Sequence, residues 1–165
     1  MGPSTTFEVR PITAGDLPFL AELYASTRAQ EMAQVPWPPA TIRAFLHDQF
    51  QLQHRHYQAQ YPDASFELVL IDGAPAGRRY VGRGSKEICL IDLALLPACR
   101  GLGIGRSLMA ELVEESDRTG LPLGLHVEMN NPVLAWYQRL GFVVQDTHGV
   151  YLRMQREPVA AQAVP

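Results

Sequence analysis

The segment LIDLALLPACRGLGIGRSLMAELVEES, residues Leu90–Ser116, contains the change of pattern that decides the fold. An almost continuous apolar run ends at Pro97, glycines follow at positions 101, 103 and 105, and apolar residues then recur at helical spacing. A strand that is apolar throughout is typical of the centre of a sheet that is covered on both faces. The segment therefore predicts a central strand that leads through a glycine-rich loop into an amphipathic helix.

The rest of the chain predicts further strands and helices on both sides of this junction. Alternation predicts a first strand at 6–12, and helical spacing predicts a helix within 13–27. Three prolines at 36, 38 and 39 then end the helical pattern, and a second helix is predicted from about Thr41 to Tyr61. Later elements are a hairpin around Asp72-Gly73, a buried strand in 121–129, a short helix in 132–141 and a closing hairpin around His148-Gly149. This order predicts an α/β domain with a mixed sheet and helices on both faces.

Size and composition are those of one globular domain. The 165 residues are 47% hydrophobic and 19% charged, so we predict a single domain over 1–157 and a loose tail over 158–165. The formal net charge of -3, with no run of Lys or Arg, argues against nucleic acid and anionic membranes as partners. Neither a leader pattern nor a long apolar window is present, which predicts a cytoplasmic protein. Cys89 and Cys99 are interpreted as reduced thiols, because their spacing matches no zinc site, and no metal is expected.

The glycine-rich loop suggests a phosphate-binding site. The start of a helix offers unpaired backbone N–H groups and a partial positive charge, and residues without a Cβ let an anion approach them. A dinucleotide fingerprint is excluded, because its last glycine would fall on Arg106 or Leu108. A P-loop is excluded as well, because no Lys follows the glycines. A tight turn with close packing of strand and helix stays open as the structural alternative.

Two motifs resemble those of the GNAT superfamily, the acetyl-CoA-dependent N-acyltransferases. Arg100-x-x-Gly103-x-Gly105 resembles the pyrophosphate signature of that family, [RQ]-x-x-G-x-[GA]. The segment NNPVLAWYQRLGF, Asn130–Phe142, resembles the later motif of an Asn, a Tyr, a basic residue and Gly-Phe. The resemblance covers nearly the whole chain and implies the GNAT fold, with a mixed, mostly antiparallel central sheet. It also implies acetyl-CoA as the co-substrate.

Carried onto this sequence, the motifs of the family imply roles for individual residues. Backbone groups of Leu93, Ala94 and Leu95 would hydrogen-bond the pantetheine arm, and an N–H near Leu95 would stabilise the developing oxyanion. Tyr137 would contact the thioester sulfur and protonate the leaving thiolate; its structural alternative is a core aromatic residue. The N–H groups of the loop and helix start would hold the pyrophosphate: Arg100, Gly101, Leu102, Gly103, Ile104, Gly105 and Arg106. Asn131, or its neighbour Asn130, would contact the pantetheine or the adjacent chain.

The general base does not follow directly from the resemblance. Relatives often place a Glu or His on the central strand at positions that are Cys89 and Ile91 here. The nearest acids are Glu87, on the side of Cys89, and Asp92, and we rank Glu87 ahead of Asp92 as the base. A solvated strand start for Glu87 and a structural hydrogen bond for Asp92 stay open. His126 is predicted to be a buried core histidine, and the other histidines are assigned by default to the surface or to turns.

The acceptor is expected to lie against the first two helices, the loop between them and the last hairpin, as in the family. The candidate substrate-binding residues are therefore Tyr24, Trp37 and His148. The resulting prediction is an N-acetyltransferase that moves acetyl from acetyl-CoA to a small-molecule, peptide or protein amine by direct attack in a ternary complex. The alternative is a non-catalytic module that binds acyl-CoA as a sensor or scaffold. A homodimer is left open.

Overall fold

The computed structural model describes residues 5–160, which form a seven-stranded sheet and five α-helices. The strands are Glu8–Pro11 (β1), Ser65–Ile71 (β2), Ala74–Arg83 (β3), Ile88–Leu95 (β4), Leu123–Glu128 (β5), Val143–His148 (β6) and Tyr151–Arg156 (β7). The helices are Leu17–Thr27 (α1), Ala29–Met32 (α2), Pro39–Gln60 (α3), Ile104–Thr119 (α4) and Leu134–Arg139 (α5). Two short 3-10 helices span Ala14–Asp16 and Pro97–Cys99.

The sheet has the strand order β1-β2-β3-β4-β5-β7-β6, so β4 lies at its centre as predicted. β4 and β5 are parallel, whereas the pairs β1–β2, β5–β7 and β6–β7 are antiparallel. The predicted hairpin between β2 and β3 is confirmed, because Asp72 and Gly73 have φ values of 51° and 79°, the positive pair that a type I′ turn requires. The mixed, mostly antiparallel α/β fold is therefore confirmed.

The chain forms two compact units. The N-terminal unit contains the residues up to Arg79 together with Leu93–Gly105. The C-terminal unit contains Tyr80–Asp92 and the residues from Arg106 onward. Each unit has a core and ion pairs of its own, which we describe separately.

The N-terminal unit is built around α1, α3 and β2. Its core consists of buried residues from these elements and from α2, namely Leu20, Leu23, Tyr24, Met32, Leu46, Phe50 and Leu68. The start of α1 is fixed by the buried carboxylate of Asp16, which accepts hydrogen bonds of 2.8 and 2.9 Å from Arg10 and one of 2.7 Å from the Thr13 N–H. Hydrogen bonding to the Arg10 guanidinium lowers the pKa of Asp16 to about 2. The α2 helix was not predicted.

The C-terminal unit is built around α4 and β5. Buried residues of α4 follow helical spacing, and Leu123, Leu125 and Val127 alternate along β5. Arg83 binds Glu115 of α4 at 2.7 Å, and Arg156 of β7 binds Asp117 at 2.8 Å. The predicted loose tail begins in residues without regular secondary structure, but the Val159 N–H donates to Asp117 at 2.8 Å. Residues 161–165 of that tail lie outside the described residues.

Within the N-terminal unit, β3 and the end of β4 approach each other closely at Gly77. A Cβ at this position would lie 2.2 Å from the Ala94 carbonyl oxygen and 3.1 Å from the Leu95 Cα. Next to this contact, the Leu96 N–H donates to the Ala76 carbonyl at 2.8 Å. Because the atoms in the way belong largely to the backbone, a side chain at 77 cannot be accommodated by a rotamer change.

We therefore expect Gly77→Ala to lower the free energy of unfolding by about 1–3 kcal/mol, the usual cost of overpacking. The matched control is Gly15→Ala, since a Cβ at Gly15 would meet only the Thr13 hydroxyl at 3.7 Å. The control should change stability by no more than about 0.5 kcal/mol. Urea unfolding of both variants makes the comparison. Equal stabilities would show that the end of β4 does not depend on the bare glycine.

Candidate active site

The predicted phosphate-binding loop has the open backbone that this role requires. Gly101 and Gly103 have φ values of 78° and 83°, in the left-handed region that favours glycine. A Cβ built at either residue would meet no atom within 4 Å, so both face open space. α4 begins at Ile104, whose side chain is buried and anchors the first turn. The backbone thus delivers the first N–H groups of a sixteen-residue helix next to an unobstructed surface.

This arrangement fits an anionic group. The first N–H groups of an α-helix have no partner within the helix and carry a partial positive charge, so they favour phosphate. The Arg100 side chain folds back, and its Nε donates to the Leu95 carbonyl at 3.1 Å, which ties the loop to the end of β4. A Cβ at Gly105 would be 3.8 Å from the Leu95 Cδ1, an ordinary contact. The predicted residues 100–105 all belong to the N-terminal unit. The C-terminal unit contains the remainder of α4, from Arg106 onward.

The predicted acid, Tyr137, lies in α5 of the C-terminal unit. Its ring is half-buried against Trp136 and Phe142, with ring centroids 5.3 and 5.7 Å away. Burial, and then the negative charge of Asp92, raise the pKa of the Tyr137 phenol above its ordinary value. Asp92 of β4 is therefore close enough to act electrostatically on Tyr137. The Tyr137 phenol keeps its proton at neutral pH.

The two asparagines of the second motif lie directly before α5, and both are exposed. The Asn131 Oδ1 accepts a hydrogen bond from the Val133 N–H at 3.0 Å, and the Asn131 carbonyl accepts one from the Leu134 N–H at 3.1 Å. Asn131 thus shapes the turn that starts the helix carrying Tyr137. For Asn130 the structure gives an exposed position and no role in that turn.

Cys89 lies on the part of β4 that pairs with β5, and Glu87 directly precedes that strand. A Cβ at Gly124 of β5 would be 2.5 Å from a carboxylate oxygen of Glu87, so this side chain occupies the space left by the glycine. Burial, with a smaller contribution from Glu87, raises the pKa of the Cys89 thiol to about 11. Five residue steps separate Glu87 from Asp92, about 16 Å along an extended strand. Asp92, and not Glu87, is the carboxylate next to Tyr137.

His126 is exposed, and the prediction that it is a buried core histidine is wrong. β4 and β5 pair only from Ile88↔Leu123 to Leu90↔Leu125, so His126 is the first β5 residue beyond the pairing. Alternation places it on the face of Gly124, opposite to Leu125. The sequence did contain the signal, because LGLHVE alternates and His126 falls on the polar face of that pattern.

The three predicted acceptor residues differ in how they are held. Tyr24 is buried in the N-terminal unit, and its hydroxyl accepts a hydrogen bond from the Arg28 Nη1 at 3.0 Å. Trp37 is 44% exposed, and Phe45 packs edge-on against it at a centroid distance of 5.4 Å. His148 of the C-terminal unit is exposed, with its Nε2 3.1 Å from an Asp146 carboxylate oxygen. Trp37 and His148 are thus accessible side chains, whereas Tyr24 offers a hydroxyl that is already bonded.

A cavity of about 300 Å³ lies between α4 and α5 in the C-terminal unit. Its apolar walls come from Met109 and Val113 of α4, from Trp136 of α5 and from Leu140 directly after α5. The charged residues Arg106, Glu114 and Asp117 also line it. The sequence did not predict this cavity, because its walls come from two separate segments of the chain.

Within residues 5–160, no group of three or more His, Cys, Asp or Glu side chains is arranged to hold a metal ion. No helix in the same part of the chain combines the length and apolarity that crossing a membrane requires.

The comparisons with known proteins agree with this geometry. No curated protein sequence matches the chain. Among solved structures, the PaiA N-acetyltransferase of Thermoplasma acidophilum in complex with coenzyme A is similar, with a TM-score of 0.68, 22% identity, and 92% of this chain and 99% of that chain covered. The ribosomal-protein-S18-alanine N-acetyltransferase of Escherichia coli is also similar, with a TM-score of 0.63, 20% identity, and 97% of this chain and 99% of that chain covered. The model of the acetyltransferase (GNAT) family matches residues 23–142. The chain therefore belongs to the GNAT family of acetyltransferases.

Proposed function

We propose that this protein is an N-acetyltransferase that transfers acetyl from acetyl-CoA directly to an amine within a ternary complex. The observation that carries the proposal is the pair of left-handed glycines, Gly101 and Gly103, which open the N-terminus of α4 to an anion. Membership of the GNAT family supports it, and the similar PaiA structure contains coenzyme A. When bound, acetyl-CoA would supply the activated acetyl group.

The loop and the end of β4 would hold acetyl-CoA from two sides. The N–H groups of residues 101–106 would bind its pyrophosphate, because they are the unpaired donors of a loop and a helix start. The Arg100 N–H, which was also predicted to take part, donates to the Pro97 carbonyl at 3.3 Å instead. Backbone groups of 93–95 would hydrogen-bond the pantetheine arm, with an N–H near Leu95 stabilising the developing oxyanion. Asn131, or its neighbour Asn130, would contact the pantetheine arm.

Direct transfer is supported by the state of Cys89. With its pKa raised to about 11, the thiol is protonated at neutral pH and is a poor nucleophile. Tyr137 is the proposed acid for the leaving thiolate, because burial and Asp92 keep its phenol protonated.

His126 is our first candidate for the proton acceptor of the incoming amine. It is an exposed imidazole at the point where β4 and β5 part, and imidazole is the side chain best suited to exchange protons near neutral pH. Asp92 comes second because of its proximity to Tyr137. Glu87 comes last, since it packs over Gly124 at a distance from Tyr137. Tyr24, Trp37 and His148 remain the proposed contacts of the acceptor amine.

A non-catalytic module that binds acyl-CoA is the second candidate. It is favoured by the absence of an acid or imidazole at positions 89 and 91 and by the packing of Glu87 against Gly124. Turnover separates the two functions, because a sensor or scaffold would bind acetyl-CoA without consuming it.

The first test follows free thiol release from acetyl-CoA in the presence of a broad panel of small amines, amino acids and peptides. We expect turnover with at least one acceptor. The Cys89→Ala, Cys99→Ala double variant should retain it, because no cysteine carries the acetyl group. Loss of turnover in a folded double variant would instead indicate a covalent thioester. Binding of acetyl-CoA without turnover on any acceptor would favour the module.

The second test replaces Tyr137 by Phe, which keeps the ring contacts with Trp136 and Phe142. We expect kcat to fall by roughly 10²–10⁴-fold, the usual range for a positioned general acid, while KM for acetyl-CoA changes little. Since the pKa of Tyr137 is raised, wild-type kcat should fall on the alkaline side only above pH ~10, the ordinary tyrosine pKa, and the Phe variant should lack this decline. Retention of more than about a third of wild-type kcat, where chemistry limits the rate, would make Tyr137 a packing residue.

The third test compares His126→Gln with Glu87→Gln. If His126 accepts the proton, wild-type kcat/KM should decline as the pH falls, because protonated imidazole cannot act as a base. His126→Gln should lower kcat/KM by roughly 10²-fold or more and remove that decline. Glu87→Gln is the matched control and should leave the pH profile unchanged. If the two variants exchange these results, Glu87 is the base and our ranking is wrong.

A further inference from the structure

A second cavity lies in the N-terminal unit, between the start of α1 and the middle of α3. Its volume is about 640 Å³, which is in the range of sites for small organic ligands. Leu17 and Ala21 of α1 and Phe50 of α3 form its apolar part. His47, His54 and Arg55 of α3 form its polar part. An adjoining cavity of about 600 Å³ shares Leu17 and His54 with it.

These cavities lie away from the loop that we assign to acetyl-CoA. The adjoining cavity is lined by 64–67 at the start of β2, and six residue steps separate Ser65 from the end of that strand at Ile71, about 20 Å. The turn at Asp72-Gly73 then leads to Ala76, whose carbonyl accepts the Leu96 N–H beyond β4. The end of β4 is therefore near the C-terminal end of β2, whereas the cavities are near the N-terminal end of β2.

The polar lining of the cavity between α1 and α3 is basic. Arg55 is an exposed, permanently charged guanidinium, and His47 and His54 add imidazole nitrogens that can form hydrogen bonds. No carboxylate is among the described residues that line this cavity. Arg78 of β3 is 3% exposed and donates a hydrogen bond to the Gln53 Oε1 of α3 at 2.8 Å. Burial, and then the positive charge of Arg78, lower the pKa of His54. The lining thus combines the permanent charge of Arg55 and hydrogen-bonding imidazoles with an apolar surface.

We propose that this cavity binds a small amphipathic organic anion, a carboxylate attached to a flat apolar body. The carboxylate would pair with Arg55, whose planar guanidinium matches it in a bidentate arrangement, and would accept a hydrogen bond from His54. The apolar body would lie on Leu17 and Ala21, whose side chains are partly exposed, above the buried Phe50, and would remove that apolar surface from water. This site is separate from the proposed acetyl-transfer site and does not require that function.

The probe is 2-naphthoate, and the neutral amide 2-naphthamide has the same ring without the charge. In a titration of the whole chain followed by NMR, naphthoate should shift the signals of Ala21, His54 and Arg55, and it should bind at least about fivefold more tightly than naphthamide because of the charge-assisted pair. Arg55→Gln should weaken naphthoate at least about fivefold, to the level of the amide. Arg43→Gln on the same helix, an exposed position outside the lining, should leave the affinity unchanged.

A second variant tests the apolar half of the cavity. Ala21→Phe fills the space between α1 and α3 while all basic groups remain, and it should abolish naphthoate binding. The proposal is overturned if naphthoate shifts no signals in this cavity, if naphthamide binds equally well, or if Arg43→Gln weakens binding as much as Arg55→Gln. Retained naphthoate binding in a folded Ala21→Phe protein would overturn it as well.

Discussion

The close approach of two backbones at Gly77 is the constraint on which the proposed acetyl-CoA site depends. With no side chain at this position, the Ala94 carbonyl can lie where a Cβ would otherwise be. The Leu96 N–H then bonds to Ala76, and the Arg100 guanidinium holds the Leu95 carbonyl. These two hydrogen bonds fix the end of β4. From there a short 3-10 turn and two left-handed glycines bring the chain into α4, so the direction of the helix N–H groups follows from the position of β4.

Burial in a low-dielectric environment explains why two ionisable groups of the C-terminal unit suit different roles. It disfavours the charged form of each group, so both the Tyr137 phenol and the Cys89 thiol keep their protons at neutral pH. A protonated phenol is what an acid for a leaving thiolate needs, whereas a protonated thiol is unsuited to carry an acetyl group. The same physical effect therefore supports an acid at one position and argues against a covalent intermediate at the other. Asp92 strengthens the first effect through its charge.

The sequence predicted those features that depend on neighbouring residues. The spacing of apolar residues and the residue types at turns predicted the central strand, the hairpin at Asp72-Gly73 and the helix that begins after Gly103. These features depend on the preferences of residues that are close together in the chain. Features that depend on contacts between distant segments could not be predicted. Gly77 lies within a polar strand with no pattern to mark it, and its importance comes from residues 94 and 95. The electrostatic effect of Asp92 on Tyr137 and the exposure of His126 likewise depend on where β4 and β5 stop pairing.

The central claim is that the loop before α4 binds the pyrophosphate of acetyl-CoA, and a titration followed by backbone amide NMR signals tests it most directly. Coenzyme A and pantetheine share the thiol-bearing arm, but pantetheine lacks the pyrophosphate. We predict that coenzyme A shifts the amide signals of Gly101, Gly103 and Gly105 strongly and that pantetheine leaves them almost unchanged. If coenzyme A binds without moving these three signals, or if pantetheine moves them equally, the loop is not the pyrophosphate site.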